Sequence, residues 1–235
     1  MAKIFIATPA FTGQTHALYT ISLAHTATAL SHAGHDVVLR IHSSCSLLVM
    51  ERNSLNDAFL QSDCDYMLCL DSDMGWRHEA VLTMIQHDKD FVVGCYPIRR
   101  QPDKFHFQAC ENEDGSLVRE GDLIKMLYVP AGFMLLKRKV LEKMTEHFKE
   151  QSYEPVDPEK QGIQCALFNT ELYEGKLWGE DYVFCRKARE AGFDIWCDPR
   201  FGFNHAGTIG CLAEYLTNDK KEWLKAKELI EKVST

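Results

Sequence analysis

Tyr66-Met67-Leu68-Cys69-Leu70 runs without a break into Asp71-Ser72-Asp73, and this junction decides how the chain is read. Five largely apolar residues suit a parallel strand buried on both faces. The strand then delivers two carboxylates, one residue apart, to the open edge of a sheet, where α/β proteins bind ligands. Paired carboxylates are costly there unless a divalent cation sits between them and a polyanion. The junction points to a nucleoside diphosphate held through a metal. A turn in which Asp71 caps a helix is the plainer alternative.

Working outward, Lys3-Ile4-Phe5-Ile6-Ala7 predicts a first buried strand, broken by Thr8-Pro9. Leu18, Ile21, Leu23, Ala24 and Leu30 have helical spacing over 15–32, closed by Gly34. Residues 37–41 predict a second strand, 47–60 a helix, 78–87 a short helix and 91–96 a fourth strand stopped by Pro97. Four strands alternating with three helices predict a doubly wound, mostly parallel sheet flanked by helices. After about Arg100 the pattern changes. The turn at 111–115 suggests a small antiparallel excursion that pairs 105–107 with 124–129. Helices are expected over 138–149 and 181–191, a loop over 151–164, a strand over 193–197 and an amphipathic terminal helix over 214–233.

The chain has 235 residues, 46% hydrophobic and 26% charged, enough for one large α/β domain. We expect a single domain over 1–235, with a nucleotide-sugar-binding half at 1–105 and an acceptor and catalytic half at 106–235. A net charge of −8 excludes an overall basic sheath for nucleic acid, though a local basic groove stays open. Nine cysteines without a Cys-x-x-Cys pair read as buried free thiols in a reducing cytosol, hence a cytoplasmic protein. Met1-Ala2-Lys3 leads directly into a strand, so no signal peptide is expected, and no run nears the roughly 20 apolar residues of a membrane span.

Three further groups carry chemistry. In Trp178-Gly179-Glu180-Asp181-Tyr182 two carboxylates open a helix, whose dipole favours their ionised form. One of them could take a proton from an attacking hydroxyl, or both could simply stabilise the first turn. In Phe203-Asn204-His205-Ala206-Gly207 the imidazole is an acceptable additional manganese ligand, or an ordinary surface group. At the amino end, Thr8-Pro9-Ala10 could frame a base or ribose, and Arg52-Asn53 could reach a base or diphosphate. Arg99 and Arg100 could neutralise phosphate. Each has a plain alternative as loop or solvated helix face.

Taken in order, residues 3–13, 47–59, 66–97, 129–141 and 178–207 make the chain resemble a glycosyltransferase of the GT-A fold. The likeness is to the small single-domain, GT2-like type found in phages and large DNA viruses. The segments that carry it are the strand with Asp71-Ser72-Asp73, Pro130-Ala131-Gly132-Phe133-Met134, Gly179-Glu180-Asp181-Tyr182 with Phe184-Cys185, and Asn204-His205-Ala206-Gly207. The resemblance implies a nucleotide-sugar transferase using Mn2+ or Mg2+, with uridine diphosphate as the expected donor nucleotide. It implies that Thr8 and Pro9 line the nucleobase pocket with Arg52 nearby. Asp71 would face ribose or metal, Ser72 lies between, and Asp73 would coordinate the metal with His205. Ala131 and Gly132 would let the donor sugar approach the backbone. Asp181 would be the catalytic base of an inverting reaction, while Trp178 and Glu180 would contact sugar or acceptor.

Other readings fit less well. A haloacid-dehalogenase-type phosphotransferase places its aspartate pair on the first strand, whereas here it follows the third. A sugar nucleotidyltransferase wants a Gly-rich loop after the first strand, which Thr8 to Gly13 lacks, and the glycine fingerprint of a dehydrogenase is missing. A non-catalytic nucleotide-sugar-binding module remains. The acceptor hydroxyl stays open among a glycan, a lipid-linked sugar, a protein and a hydroxymethylated pyrimidine in DNA. For the last, Arg99, Arg100, Lys104, Arg138 and Lys139 could form a basic surface.

Overall fold

Three apolar runs of the first hundred residues, 4–7, 67–70 and 91–93, form strands that are fully buried, and the segments of helical spacing cover them. A computed structural model describes residues 1–43, 47–156 and 162–217, the side chains of 102 and 103 excepted. The chain begins β1 (Lys3–Ala10), α1 (Ala17–His32), β2 (Asp36–Ser43), α2 (Leu48–Gln61), β3 (Tyr66–Leu70), β4 (Met74–Trp76), α3 (His78–Gln86) and β5 (Phe91–Val93). It continues with β6 (Pro97–Ile98), β7 (Gln101–Phe105), β8 (Gln108–Ala109), β9 (Arg119–Glu120), β10 (Leu123–Tyr128), β11 (Phe133–Lys137) and α4 (Arg138–His147). Then come β12 (Ser152–Tyr153), β13 (Gln164–Cys165), β14 (Glu171–Tyr173), β15 (Lys176–Trp178), α5 (Glu180–Glu190), β16 (Ile195–Cys197), β17 (Gly202–His205) and β18 (Thr208–Cys211).

Among the described residues the main sheet has nine strands in the order β2-β1-β3-β11-β5-β16-β10-β8, with β9 also on β10. β11 and β10 run against the other seven. The sheet is therefore mixed, though mostly parallel in strand direction. The doubly wound expectation would set the fourth strand, β5, beside β3. Instead β11 lies antiparallel between them, bonded to both. Phe133, Met134, Leu135 and Leu136 are all buried, so this run needs strands on each side. The antiparallel excursion also differs in detail: β10 pairs β8 and β9 rather than residues 105–107, since β7 folds back on β6.

α1 departs from its expected face. It buries Tyr19, Ser22, Thr26 and Leu30, while Ile21 is 54% exposed. The hydroxyls have partners: Ser22 Oγ accepts the Trp76 backbone N–H at 3.0 Å and Thr26 Oγ1 its indole N–H at 2.9 Å. Buried polar groups are tolerated when hydrogen-bonded in this way. The predicted loop over 151–164 carries the short strands β12 and β13, and its residues 157–161 lie outside the described residues. A helix begins at 212–217, but the rest of the predicted terminal helix also lies outside them. The eight described cysteines are free thiols, six of them buried.

A second, three-stranded sheet, β18-β17-β4, carries the chain beyond Asp73 to His205. Its packing fixes Gly94, because a Cβ there would collide with the Phe203 ring and stand 2.9 Å from Phe133 Cδ1. Gly94→Ala is expected to lower stability by about 1–3 kcal/mol through overpacking. A urea midpoint equal to that of the parent would contradict this packing.

Candidate active site

At the end of β3 the Asp71 N–H donates to Gly132 O at 3.0 Å, which ties the aspartate pair to the start of β11. Arg52 reaches across from α2 and donates to Asp71 Oδ1 at 2.7 Å. α2 turns a polar face inward: Glu51, Arg52, Asn53, Ser54 and Asn56 are all buried. Asn53 anchors that face by exchanging two hydrogen bonds with the Phe168 backbone, at 2.9 and 2.8 Å. Burial alone would lower the Arg52 pKa, but Asp71 together with Tyr96, Cys69 and Glu180 outweighs it and keeps the guanidinium charged. A buried cation of this kind survives only with such a partner.

Tyr96 closes the other side. Its hydroxyl accepts the Gly132 N–H at 3.0 Å and faces Asp71 Oδ2 at 3.5 Å. Burial, and then the Asp71 charge, push the phenol well above its ordinary value, so it stays protonated. A Cβ on Gly132 would collide with the Tyr96 hydroxyl and the Asp71 carboxylate. Glycine at 132 is thus what lets the backbone lie against both groups.

Asp73 is oriented by a different strand pair. His205 sits opposite Met74 in the β17–β4 register, and Ala206 N–H donates to Asp73 O at 3.0 Å. This places His205 Nε2 3.5 Å from Asp73 Oδ2, where Arg99 also forms an ion pair. His205 Nδ1 is 2.9 Å from Pro97 O, so that nitrogen donates and Nε2 is turned toward the carboxylate. Burial by itself would raise the Asp73 carboxyl, but His205 and Arg99 hold it below the usual range. The same contact with Asp73 raises the His205 pKa.

The residues fit a divalent cation in part. A carboxylate facing an imidazole whose other nitrogen is held by a carbonyl is a usual ligand arrangement. The exposed arm of Arg99, 56% accessible, can leave it. The expected third ligand, Asp71, instead turns its oxygens to Arg52 and Tyr96. Among the described residues no group of three or more His, Cys, Asp or Glu side chains is gathered for a metal. Asp73 and His205 are the residues that would hold such an ion.

Two clefts flank this centre. One, of about 660 Å³, is lined by Pro9, Phe11, Glu51, Asp71, Ser72, Asp73 and Arg99, among others. The other, of about 520 Å³, is lined by Tyr128, Pro130, Leu177, Trp178, Asp181 and Tyr182, among others. The loop from Pro130 to Gly132 lies between them, with Pro130 on the second cleft and Gly132 against Asp71. Asp181 opens α5, where its Oδ1 accepts the Tyr182 N–H at 2.8 Å. Burial, reinforced by Glu180, raises its pKa above the ordinary aspartate value.

Not every expected residue reaches a cleft. Thr8 is buried, its hydroxyl 2.6 Å from Tyr19 Oη, because β1 continues through Ala10 instead of breaking at Thr8-Pro9. Pro9 does line the larger cleft. The expected basic surface does not form as a unit. Arg138 donates to the carbonyls of Phe59, Leu60, Ser62 and Cys64, and Lys139 pairs with Asp90, whereas Arg99 pairs with Asp73. Sequence reasoning missed Tyr96, Tyr128 and Glu51. Tyr96 had a signal, a polar-tipped aromatic at the carboxyl end of a predicted strand; Glu51, paired with His42 at 3.1 Å, carries no local signal that sets it apart from other charges on a predicted helix.

In sequence, no family model and no curated protein matches the chain. Among solved structures it is similar to the catalytic domain of Drosophila beta1,4-galactosyltransferase 7 in complex with xylobiose, at 15% identity and TM-score 0.48, covering 84% of this chain and 65% of that one. It is also similar to GalNAc-T7 with UDP, GalNAc and Mn2+, at 9% identity and TM-score 0.44, covering 87% and 44%. A third is a Bacillus anthracis protein described as a glucose-1-phosphate thymidylyltransferase, in complex with sucrose, at 13% identity and TM-score 0.43, covering 88% and 90%. The chain thus spans less than two thirds of the length of the first two. Likeness at this level assigns neither a family nor an activity.

Proposed function

We propose that the protein is a metal-dependent glycosyltransferase that moves a sugar from a nucleoside diphosphate, with uridine diphosphate the expected carrier, to an acceptor hydroxyl. The observation that carries this reading is the pair of clefts separated by one loop. One is lined by the aspartates that close β3, and the other by a half-buried carboxylate at a helix start. The diphosphate lies in the first cleft beside Asp73, His205 and Arg99, and Ser72 lines the same wall. Bound there, the cation supplies Lewis-acid stabilisation of the charge that builds on the leaving diphosphate. Arg52 and Tyr96 hold Asp71 in place, where it faces the ribose, and Gly132 leaves room for the donor sugar.

The acceptor occupies the second cleft, against Trp178 and the stacked pair Tyr128 and Tyr182, whose ring centroids are 5.3 Å apart. Asp181 takes the proton of the attacking hydroxyl, and its raised pKa strengthens it as a base. Attack from the side opposite the leaving group inverts the anomeric centre. Aromatic walls favour a glycan acceptor over DNA, and the engagement of Arg138 and Lys139 elsewhere weakens the alternative of a modified pyrimidine in DNA.

Thermal-shift measurements with nucleotide sugars test the donor half. A uridine-diphosphate sugar with Mn2+ at a hundredfold excess over its dissociation constant is expected to add about 2.7 kcal/mol of stability, and far less without metal. Equal shifts with and without the ion would reject metal-linked binding.

A further inference from the structure

The strand at the rim of the main sheet takes no part in this chemistry. β2 is eight residues long and, among the described residues, pairs only with β1. Open rims are templates for another chain, and proteins usually blunt them with charged side chains, proline or a bulge. β2, Asp-Val-Val-Leu-Arg-Ile-His-Ser, has no proline or bulge, and its register with β1 is unbroken from Lys3↔Asp36 to Ala10↔Ser43; its two charges, Asp36 and Arg40, are of opposite sign. Leu39 and Ile41 are 48% and 40% exposed.

The backbone shows which groups the rim offers. Asp36 N–H donates inward, to Ala2 O at 3.0 Å. N–H and C=O of one strand residue point to the same side and alternate along the strand. The groups of Val37, Leu39, Ile41 and Ser43 therefore face outward. We propose that the chain forms a two-fold dimer in which β2 pairs antiparallel with β2 of a second copy, centred on Val38. Val37 and Leu39 of the two copies then exchange outward hydrogen bonds.

The charges select this register. Asp36 of each copy stands opposite Arg40 of the other, in the non-hydrogen-bonded positions where Cα atoms approach to about 4.5 Å. Opposite charges across such a pair are stabilising and like charges destabilising. A shift that preserves the outward bonds sets Arg40 against Val38 or against another Arg40, and the ion pairs are lost. Antiparallel pairing points the carboxyl ends of the two copies in opposite directions, so both donor clefts stay open. The proposal does not depend on the glycosyltransferase reading.

Sedimentation equilibrium of the full chain tests it. The parent is expected to show twice the chain mass. Asp36→Arg and Arg40→Asp each face like charges twice and are expected to dimerise about tenfold or more weakly. Both side chains are exposed, so the fold is unaffected. Mixing the two variants restores opposite charges at both positions and should restore a dimer, as should the double exchange in one chain. Leu39→Pro removes an outward N–H and leaves the β1 ladder intact, so it should also yield monomer. A parent that is monomeric at every concentration, single reversals that dimerise as well as the parent, or a mixture that fails to associate would each overturn the proposal.

Discussion

Asp181→Asn is expected to slow sugar transfer by about 10²–10⁴-fold, the usual worth of a positioned general base, and to leave donor binding unchanged. The substitution keeps the oxygen that accepts the Tyr182 N–H, so the start of α5 is preserved. It removes only the basic lone pair. A variant that transfers sugar at the parental rate would remove Asp181 from the chemistry. A parent that binds donor and neither transfers nor hydrolyses it would favour the binding-module reading.

The raised pKa makes a second measurement possible. The ionised carboxylate is the working form, so the parental rate should fall as pH drops through that raised value and be full above it. Stability has the opposite sign. A carboxyl whose folded value lies above its unfolded one favours folding when protonated, a contribution lost as pH rises through the folded value. The parent should therefore gain stability relative to Asp181→Asn as pH falls through this window. Parallel melting curves for the two proteins across it would show that burial does not perturb the group.

Asp73→Asn is expected to abolish the manganese-linked part of nucleotide stabilisation, about 2.7 kcal/mol at a hundredfold excess over the dissociation constant, together with transfer. Amide oxygen is a poorer ligand than carboxylate for a hard cation, and His205 alone cannot hold one. Arg99 competes for the same carboxylate, so Arg99→Gln should tighten metal binding measured by titration calorimetry without nucleotide. Loss of metal affinity in Arg99→Gln, or full manganese dependence in Asp73→Asn, would place the ion elsewhere.

Local pattern carried much of this molecule. The run from Tyr66 to Leu70 is a buried strand, Asp71, Ser72 and Asp73 line a cleft at its end, and Glu180 and Asp181 open a helix. Those features depend on backbone periodicity and on residues near in sequence. The inward face of α1 was illegible, because Ser22 and Thr26 are buried only by virtue of Trp76, 54 and 50 residues away. The insertion of β11 between β3 and β5 was hidden for the same reason: an apolar run states that it will be buried, not between which neighbours.

By itself, then, the sequence determined the alternation of strands and helices and where the acidic groups fall along it. Only the tertiary structure decided that Asp71 is held by Arg52 and Tyr96, that Asp73 meets His205, and that Thr8 is turned inside. The reason is physical. Periodicity is a property of neighbouring residues, whereas the partner of a buried charge is set by the register between elements such as β4 and β17, whose paired residues lie more than a hundred positions apart.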